Sequence, residues 1–384
     1  MRGRLKICVL GARGAPGVSG GVEAHCEALY PRLVKQAGVD VVLLARRGYV
    51  TKPRYTFDGV DVVTTSAPRH PYFEAFVHTF NGVFNARFVQ KADIVHFHAI
   101  GPALMAPLAK LMGMKVVVTH HSRNYLHKKW NKVARKVLRL GEWSAVTFAD
   151  RVIAVSPSMA AELRYRYPSR AKAIAHIPNG APEFDASATA EDHQAVLDQF
   201  GLRAGRYILG VGRLTPEKGF HDLVAGFEKA QTDLRLVVVG KADFEDTYSQ
   251  ELQAHAGERI VFAGFQGRRV LQSLYKNAGL FVLPSHHEGM PIAALEALAL
   301  GAPILMSNIG ANIDLELPAD HYFPVGNIKA LAERLSGDPT AYRFDGSEML
   351  RRYRWDEVAR QTAVLYDDLA APSSDRVPQG LFSK

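Results

Sequence analysis

Cysteine is almost absent: Cys8 and Cys26 are the only two in 384 residues. That excludes a disulfide-stapled scaffold and leaves no CxxC pair for zinc or redox chemistry, and it fits a reducing cytosol. No run approaches 18 consecutive apolar residues, so no membrane-crossing helix is expected. The opening MRGRLKICVLGA is basic and briefly apolar, but it lacks an A-x-A-like site and leads into glycines. It therefore reads as a first strand, not a secretion signal. There is no solenoid-length repeat and no low-complexity tract. No RRM, zinc-finger or helix-turn-helix pattern is present, so no nucleic-acid partner is expected. No clean DxD follows a strand. The nearest, ADFED at 242–246, reads as a loop before a helix, so no metal is indicated.

What is present is an ordinary globular composition, 47% hydrophobic and 22% charged, which excludes a disordered chain. The charge is uneven. The net +9 divides into +12 over residues 1–200 and −3 over 201–384. A basic first half suggests an anionic partner. Short apolar runs alternate with helical stretches. Strands are expected at Lys6–Gly11, Val39–Ala45, Val60–Thr65, Ile94–His98, Lys115–His120, Arg151–Val155 and Ala173–Ile177. A second series follows at Tyr207–Val211, Leu234–Gly240, Ile260–Ala263, Leu280–Pro284, Pro303–Ser307 and Tyr322–Phe323. Nearly continuous apolar strands suit a parallel sheet buried on both faces, and strand–helix alternation suits doubly wound α/β architecture. The rhythm breaks at PNGAPEFDASATAED, after residue 177. Two α/β domains are expected, 1–180 and 181–354, facing across a cleft. Residues 371–384 lack pattern and read as a disordered tail.

Four stretches carry candidate chemistry. In SHHEGMPIAALEALALG, Glu288 precedes a helix start at Pro291 and Glu296 lies in its second turn. A helix N-terminus near Gly289 and Met290 favours an anion. In GVGRLTPEKGF, Arg213 and Lys218 follow a buried strand, and a fork plus a point charge suit a diphosphate. In GARGAPGVSGGVEAHC, Gly20 and Gly21 at a helix start let a ligand approach the backbone. The spacing is not GxGxxG, and the next strand ends in Arg46-Arg47, so an NADP-dependent oxidoreductase stays open as an alternative. In VVVTHHSRNYLHKKW, His120 and His121 close a strand, and either could act at a reacting oxygen. They lack a metal-type partner pattern. His96 and His98 alternate on one strand and would share a face. Beyond these, the basic stretch 127–140 carries Trp130, Val133, Val137 and Leu140 at helical spacing, as an amphipathic helix on an anionic membrane would. A solvated basic helix is an equal reading.

Taken together, GGVE at 20–23, ADRVIAVS at 149–156, IPNG at 177–180, GRLTPEKG at 212–219 and Glu-x7-Glu at 288–296 resemble the GT-B glycosyltransferases of the large retaining family 4. The first half resembles members that build bacterial cell-surface polysaccharides. The resemblance implies two Rossmann-like domains and a UDP-, GDP- or dTDP-linked sugar donor bound chiefly to the second. It implies a glycan or lipid-linked acceptor on the first, and retention without a metal or other cofactor. Arg213 and Lys218 match the family's diphosphate-binding pair, and Glu296 the ribose-binding acid. Glu288 with Gly289, Met290 and Pro291 matches the contacts to sugar and phosphate. Gly20 and Gly21 match the turn that closes on the diphosphate. His121 matches the histidine near the reacting centre, with His120 one residue away in register. Residues 239–242 and 264–267 would surround the base, and helix 355–369 would return to the first domain. The implied location is cytoplasmic, peripheral on the inner membrane face. A non-catalytic nucleotide-sugar-binding protein on the same fold stays open.

Overall fold

A computed structural model describes residues 4–18, 20–67, 74–126, 131–242 and 246–371. Residues 127–130 of the basic stretch, 243–245 of ADFED and the tail from 372 lie outside them. Contacts divide the chain into two units, Met1–Gly180 with Tyr353–Lys384, and Ala181–Arg352.

The first unit holds an eight-stranded sheet: β1 Lys6–Leu10, β2 Asp40–Arg46, β3 Arg54–Phe57, β4 Val60–Thr65, β5 Ile94–His98, β6 Lys115–His120, β7 Arg151–Ala154 and β8 Ile174–His176. The order is β3-β4-β2-β1-β5-β6-β7-β8. Every pair is parallel except β3 with β4. Uninterrupted apolar runs such as ICVL and VVLLA form the central strands because helices cover both faces, and Ile7 to Leu10 are fully buried. β3 was not expected from the sequence. It is a short antiparallel edge strand whose register, Phe57 opposite Val60, is set by a two-residue turn at Asp58 (φ 44°) and Gly59 (φ 84°). Asp-Gly between alternating residues is the signal for that hairpin.

The second unit holds six parallel strands: β9 Tyr207–Val211, β10 Arg235–Val239, β11 Ile260–Gly264, β12 Leu280–Leu283, β13 Ile304–Ser307 and β14 Tyr322–Phe323. Their order is β11-β10-β9-β12-β13-β14. Expected and observed strands overlap throughout, with ends shifted by at most one residue. Prolines 284 and 303 fall outside their strands because they have no N–H for the ladder.

The helix Trp355–Ala370 belongs to the first unit and lies along the helix Gly21–Ala37. Its apolar face puts Trp355, Val358, Leu365 and Tyr366 into the core with Ile7, Val9, Leu29 and Tyr30. Val358 and Leu365 are buried, and each such side chain contributes about 1.5–3 kcal/mol. At the rim Asp356 accepts from Arg32 Nε (3.2 Å) and Gln36 Nε2 (3.0 Å). Gly180 is required by packing, since a Cβ there would lie 2.3 Å from the Trp355 ring.

Candidate functional site

In each unit the strand order reverses beside the first strand, between β1 and β5 and between β9 and β12. Ligands of open α/β sheets bind beyond the carboxyl ends at such a reversal.

In the second unit, β9 runs into Gly212–Thr215 and then the 3-10 turn Pro216–Lys218. Gly219 follows with φ 68°, and a Cβ on it would stand 2.1 Å from the Pro284 carbonyl oxygen. The turn after β9 thus lies directly on the end of β12, which only glycine permits. This contact brings two motifs together. Lys218 Nζ donates to Glu288 Oε1 at 2.6 Å, and Ser285 Oγ donates to the same oxygen at 2.6 Å. The Glu288 side chain is 8% exposed and that of Lys218 19%. The His286 amide donates to the Glu217 carbonyl at 2.9 Å, fixing the two loops. Arg213 is more open and lies 3.9 Å from the Glu217 carboxylate. Two cations and a buried carboxylate therefore meet at the strand ends.

Glu296 lies on the helix Ile292–Ala299, where Tyr275 Oη donates to it at 2.7 Å. Burial raises its carboxyl pKa above the ordinary range, against the lowering effect of that hydrogen bond. Pro291 does not open this helix, as expected from the sequence, but caps it (φ −82°, ψ 77°), and the first helical residue is Ile292. Gly289, Met290 and Pro291 are buried. The loops after β9, β10 and β11 are joined through Gly212 N to the Val239 carbonyl (2.9 Å) and Gly240 N to the Gly264 carbonyl (2.8 Å). Gly240 (φ 141°) has no room for a Cβ, which would fall 1.8 Å from the Gly212 oxygen. Residues 239–242 and 264–267 thus flank the Arg213 loop, with the exposed Phe265 beside Lys241.

In the first unit, Gly11 (φ 115°) presses against β5, where a Cβ would meet the His98 carbonyl oxygen at 2.2 Å. Gly20 (φ 144°) caps the helix Gly21–Ala37, and a Cβ on it would strike the Glu23 carboxylate at 2.0 Å. Glu23 there accepts from the Arg13 amide (2.9 Å) and Nε (3.0 Å). A Cβ on Gly21 would meet nothing within 4 Å.

Beyond these glycines lies a group of histidines. His96 and His98 share one face of β5, their rings stacked 4.5 Å apart. His98 Nδ1 is hydrogen-bonded to His121 Nε2 at 2.9 Å, and its Nε2 to Tyr30 Oη at 2.5 Å. His96 meets Thr119, Tyr30 and, from the last helix, Tyr366. His25 packs its ring 4.9 Å from His121 and donates from Nδ1 to Asn179 Oδ1 at 2.8 Å. Burial pushes His25 down to about 4 and His96 to about 3, and holds His98 and His121 well below the usual value. All four are neutral at neutral pH. His120 points to the opposite side of β6, into the interior, and donates to Glu142 Oε2 at 3.1 Å. Tyr125 and Arg166 also donate to Glu142. Burial alone would raise the Glu142 pKa; the hydrogen bonds and charges of His120 and Arg166 outweigh it and leave it low. Strand alternation therefore separates the doubled histidine: His120 ties β6 to the helix Lys132–Phe148, and His121 joins the histidine group.

Among the described residues, two sets of side chains have ligating atoms within 4.8 Å of one another: His25, His98 and His121, and His221, Asp222 and His286. Neither was found from the sequence, because each is assembled across distant segments. His25, Tyr30, Asn179, Ser285 and Asp222 were missed for the same reason. Only GGVEAH and IPNG, with His25 and Asn179 inside or beside them, carried a local signal.

On the surface of the first unit, Val133, Val137, Leu140 and Trp143 of the helix Lys132–Phe148 are exposed, not packed inward. Phe76, Phe80 and Phe84 of the helix Glu74–Phe84 and Phe88 of the following π turn are exposed at four-residue spacing. Both helices pack on the 3-10 turn Pro102–Met105. Among the described residues no helix is long and apolar enough to cross a membrane.

Residues 19–183 match the family model described as Glycosyltransferase Family 4, and 199–336 the model described as Glycosyl transferases group 1. An uncharacterized glycosyltransferase of Methanocaldococcus jannaschii is 26% identical, covering 94% of this chain and 98% of its own length. The alpha-maltose-1-phosphate synthase of Mycolicibacterium smegmatis is also 26% identical, over 96% and 100%. Among solved structures, sucrose-phosphate synthase from Thermosynechococcus elongatus superposes with a TM-score of 0.79 at 22% identity, covering 96% of this chain and 99% of the other. Anabaena HepE in complex with UDP-glucose gives 0.75 at 18%, covering 95% and 100%. These matches support a glycosyltransferase and none is to an NADP-dependent oxidoreductase.

Proposed function

Because the chain is a GT-B glycosyltransferase, a Family 4 domain followed by a group 1 domain, we propose that it moves a hexosyl group from a nucleotide sugar to a glycan or lipid-linked acceptor, with retention and without a metal, in cell-surface polysaccharide synthesis. The observation that carries this reading is the meeting of Lys218, Glu288 and Ser285 at the β9/β12 reversal, with Arg213 in the same loop. Arg213 and Lys218 supply charge-assisted bonds to a diphosphate and stabilise the charge that develops as it leaves. Lys218 is already desolvated against Glu288, so little reorganisation is needed. Glu288, whose Oε1 is taken by Lys218 and Ser285, accepts from a sugar hydroxyl through its other oxygen, and Glu296 accepts from the ribose. The backbone at Gly20 and Gly21 approaches the phosphates. Neutral His121 contacts the sugar at the reacting centre. Retention is assigned to front-face attack, with the departing phosphate taking the acceptor proton. The test is a donor panel of UDP-, GDP- and dTDP-hexoses, with the new anomeric linkage read by NMR and EDTA present throughout. An inverted linkage, or turnover abolished by EDTA, overturns the retaining, metal-free reading.

Exposed phenylalanines on one helix and, on a second helix packed on the same 3-10 turn, an exposed apolar stripe flanked by Lys132, Lys136 and Arg139 support a lipid-linked acceptor at the anionic, cytoplasmic membrane face. Lysines near such a surface contribute about 1 kcal/mol each and apolar side chains add shallow burial. Vesicle co-sedimentation is expected to require anionic lipid, to weaken with salt and to fall in Lys132→Ser/Lys136→Ser and Phe80→Ser/Phe84→Ser. A second reading, a soluble sugar-phosphate or glucan acceptor, is favoured by relatives named as maltose-1-phosphate and glycogen synthases. It gains if anionic vesicles leave the protein in solution at low salt.

A further inference from the structure

We propose that His25 Nε2, His98 Nδ1 and His121 Nε2 form a site for one divalent transition-metal cation of the zinc class, and that its occupancy withdraws His121 from sugar transfer. One ring nitrogen from each of the three histidines lies within 4.8 Å of the others, and His98 Nδ1 and His121 Nε2 are already 2.9 Å apart. Zinc–imidazole bonds of about 2.0–2.1 Å put tetrahedral nitrogens about 3.3 Å apart, so closure needs side-chain movements of an ångström or two.

The independent observation is His25 Nε2. His25 is 5% exposed, and this nitrogen is buried without a hydrogen-bond partner. Asn179 Oδ1 takes the proton on Nδ1, so Nε2 keeps an unshared lone pair, and the His25 ring packs against those of His98 and His121. A histidine whose far nitrogen is held by an oxygen acceptor is the arrangement that orients a metal ligand, and Tyr30 does the same for His98 from its Nε2 side. Trp355 packs edge-on against the His25 ring and fixes its plane. Ala99, directly after His98, holds φ 72°, a strained conformation for a residue with a Cβ. The donors are three imidazoles with no carboxylate, which favours zinc, copper, nickel or cobalt over magnesium or calcium. The rings are neutral, so ligation releases no net proton. The proton between His98 and His121 moves to His121 Nδ1, freeing both facing nitrogens. His121 is partly exposed and gives the ion a way in.

The site stands on geometry alone, whereas its inhibitory consequence rests on His121 acting at the reacting centre. The experiment separates the two. Cobalt(II) is titrated into the EDTA-treated full chain and followed by visible absorption, with thermal melting as a check on folding. One equivalent with tetrahedral d–d bands is expected. His121→Gln and His25→Gln should each weaken binding by at least about 100-fold, and Asn179→Ala by about 10–100-fold. His286→Gln, at the exposed member of the His221–Asp222–His286 set, should leave it unchanged. No saturable binding up to millimolar cobalt overturns the site. So does binding indifferent to His121→Gln in a folded protein, or binding that His286→Gln removes. Stoichiometric zinc should then halt sugar transfer in the wild type. Binding without that loss retains the site and overturns only the role of His121.

Discussion

The two sheets end in opposite chemistries. At the β9/β12 reversal a lysine, an arginine and two glutamates stand within one pair of loops, and the buried carboxylate of Glu288 is matched by Lys218 and Ser285. At the β1/β5 reversal the partners are aromatic: His96, His98, His121 and two tyrosines are hydrogen-bonded to one another, His25 packs against them with its Nδ1 bonded to Asn179, and every imidazole is held neutral by burial. Yet the first 200 residues carry +12 and the remainder −3. Net charge therefore does not foretell which unit places cations at its strand ends. The first unit keeps the histidine group at its strand ends uncharged, and pairs the fully buried carboxylate of Glu142 with Arg166 and His120. The lesson is one of dielectric. A paired ion remains charged when buried if its partner comes with it, whereas a cluster of titratable rings without a carboxylate gives up its protons.

The largest effect expected from this contrast is on turnover in the second unit. Lys218→Ala should lower kcat by about 10²–10³-fold, the loss typical of removing one electrostatic stabiliser. It should also weaken nucleoside diphosphate binding, because a charge-assisted bond contributes about 1.5–3 kcal/mol. Glu288→Gln should lose turnover while the nucleotide still binds. As the two share a hydrogen bond, the double variant should lose less than the product of the single losses. Steady-state rates with calorimetry decide this. Unchanged nucleotide affinity in Lys218→Ala, or equal loss of it in Glu288→Gln, would remove the division of labour.

Next is acid sensitivity, which should distinguish the units. A histidine buried neutral has a folded pKa below its unfolded value, so the unfolded chain binds the proton first. Stability is complete above the ordinary value of 6.5 and falls as the pH drops toward about 4, where His25 would protonate in place. For His25 alone this amounts to on the order of 3 kcal/mol. All three tryptophans, 130, 143 and 355, fall within the first unit, so fluorescence excited selectively at tryptophan reports it alone. Denaturant midpoints by fluorescence should drop between pH 6.5 and 4, and His25→Gln should flatten the dependence. A midpoint that holds across this interval contradicts neutral burial of the cluster.

How much of this was legible in the sequence follows from the same contrast. Buried parallel strands announce themselves as apolar runs, so thirteen of the fourteen strands were visible. β3 was not, because its alternation is short and half-exposed, although Asp58-Gly59 marked its turn. Lys218 and Glu288 stood out singly, since charged residues directly after apolar strands are conspicuous. Their contact did not, because it depends on Gly219 lying against Pro284. The histidine group was least legible. Its members come from residues 25, 96, 98 and 121, with Tyr366 added by the last helix, and nothing local links positions so far apart. The choice between His120 and His121 needed only the side of β6 each takes, which a register uncertain by one cannot supply.

The smallest effect tests the least conspicuous pair, Gly20 and Gly21. Gly20 is demanded by the fold: its φ of 144° and the Glu23 carboxylate 2.0 Å from any Cβ leave no room for a side chain. Gly20→Ala should therefore lower stability. Gly21 has no such demand, as a Cβ there meets nothing within 4 Å and the residue opens a helix. Replacing a glycine in a compatible conformation stabilises by about 0.4–1 kcal/mol through the unfolded chain. If packing were the only consideration, Gly21→Ala would be a small gain with unchanged activity. If the backbone at Gly21 instead lies against donor phosphates, the same methyl group should weaken donor binding severalfold while the melting temperature holds or rises. Melting curves and donor KM measured on one preparation separate the two. A stabilised variant with unaltered KM would take Gly21 out of the binding surface and leave Gly20 as a purely structural turn.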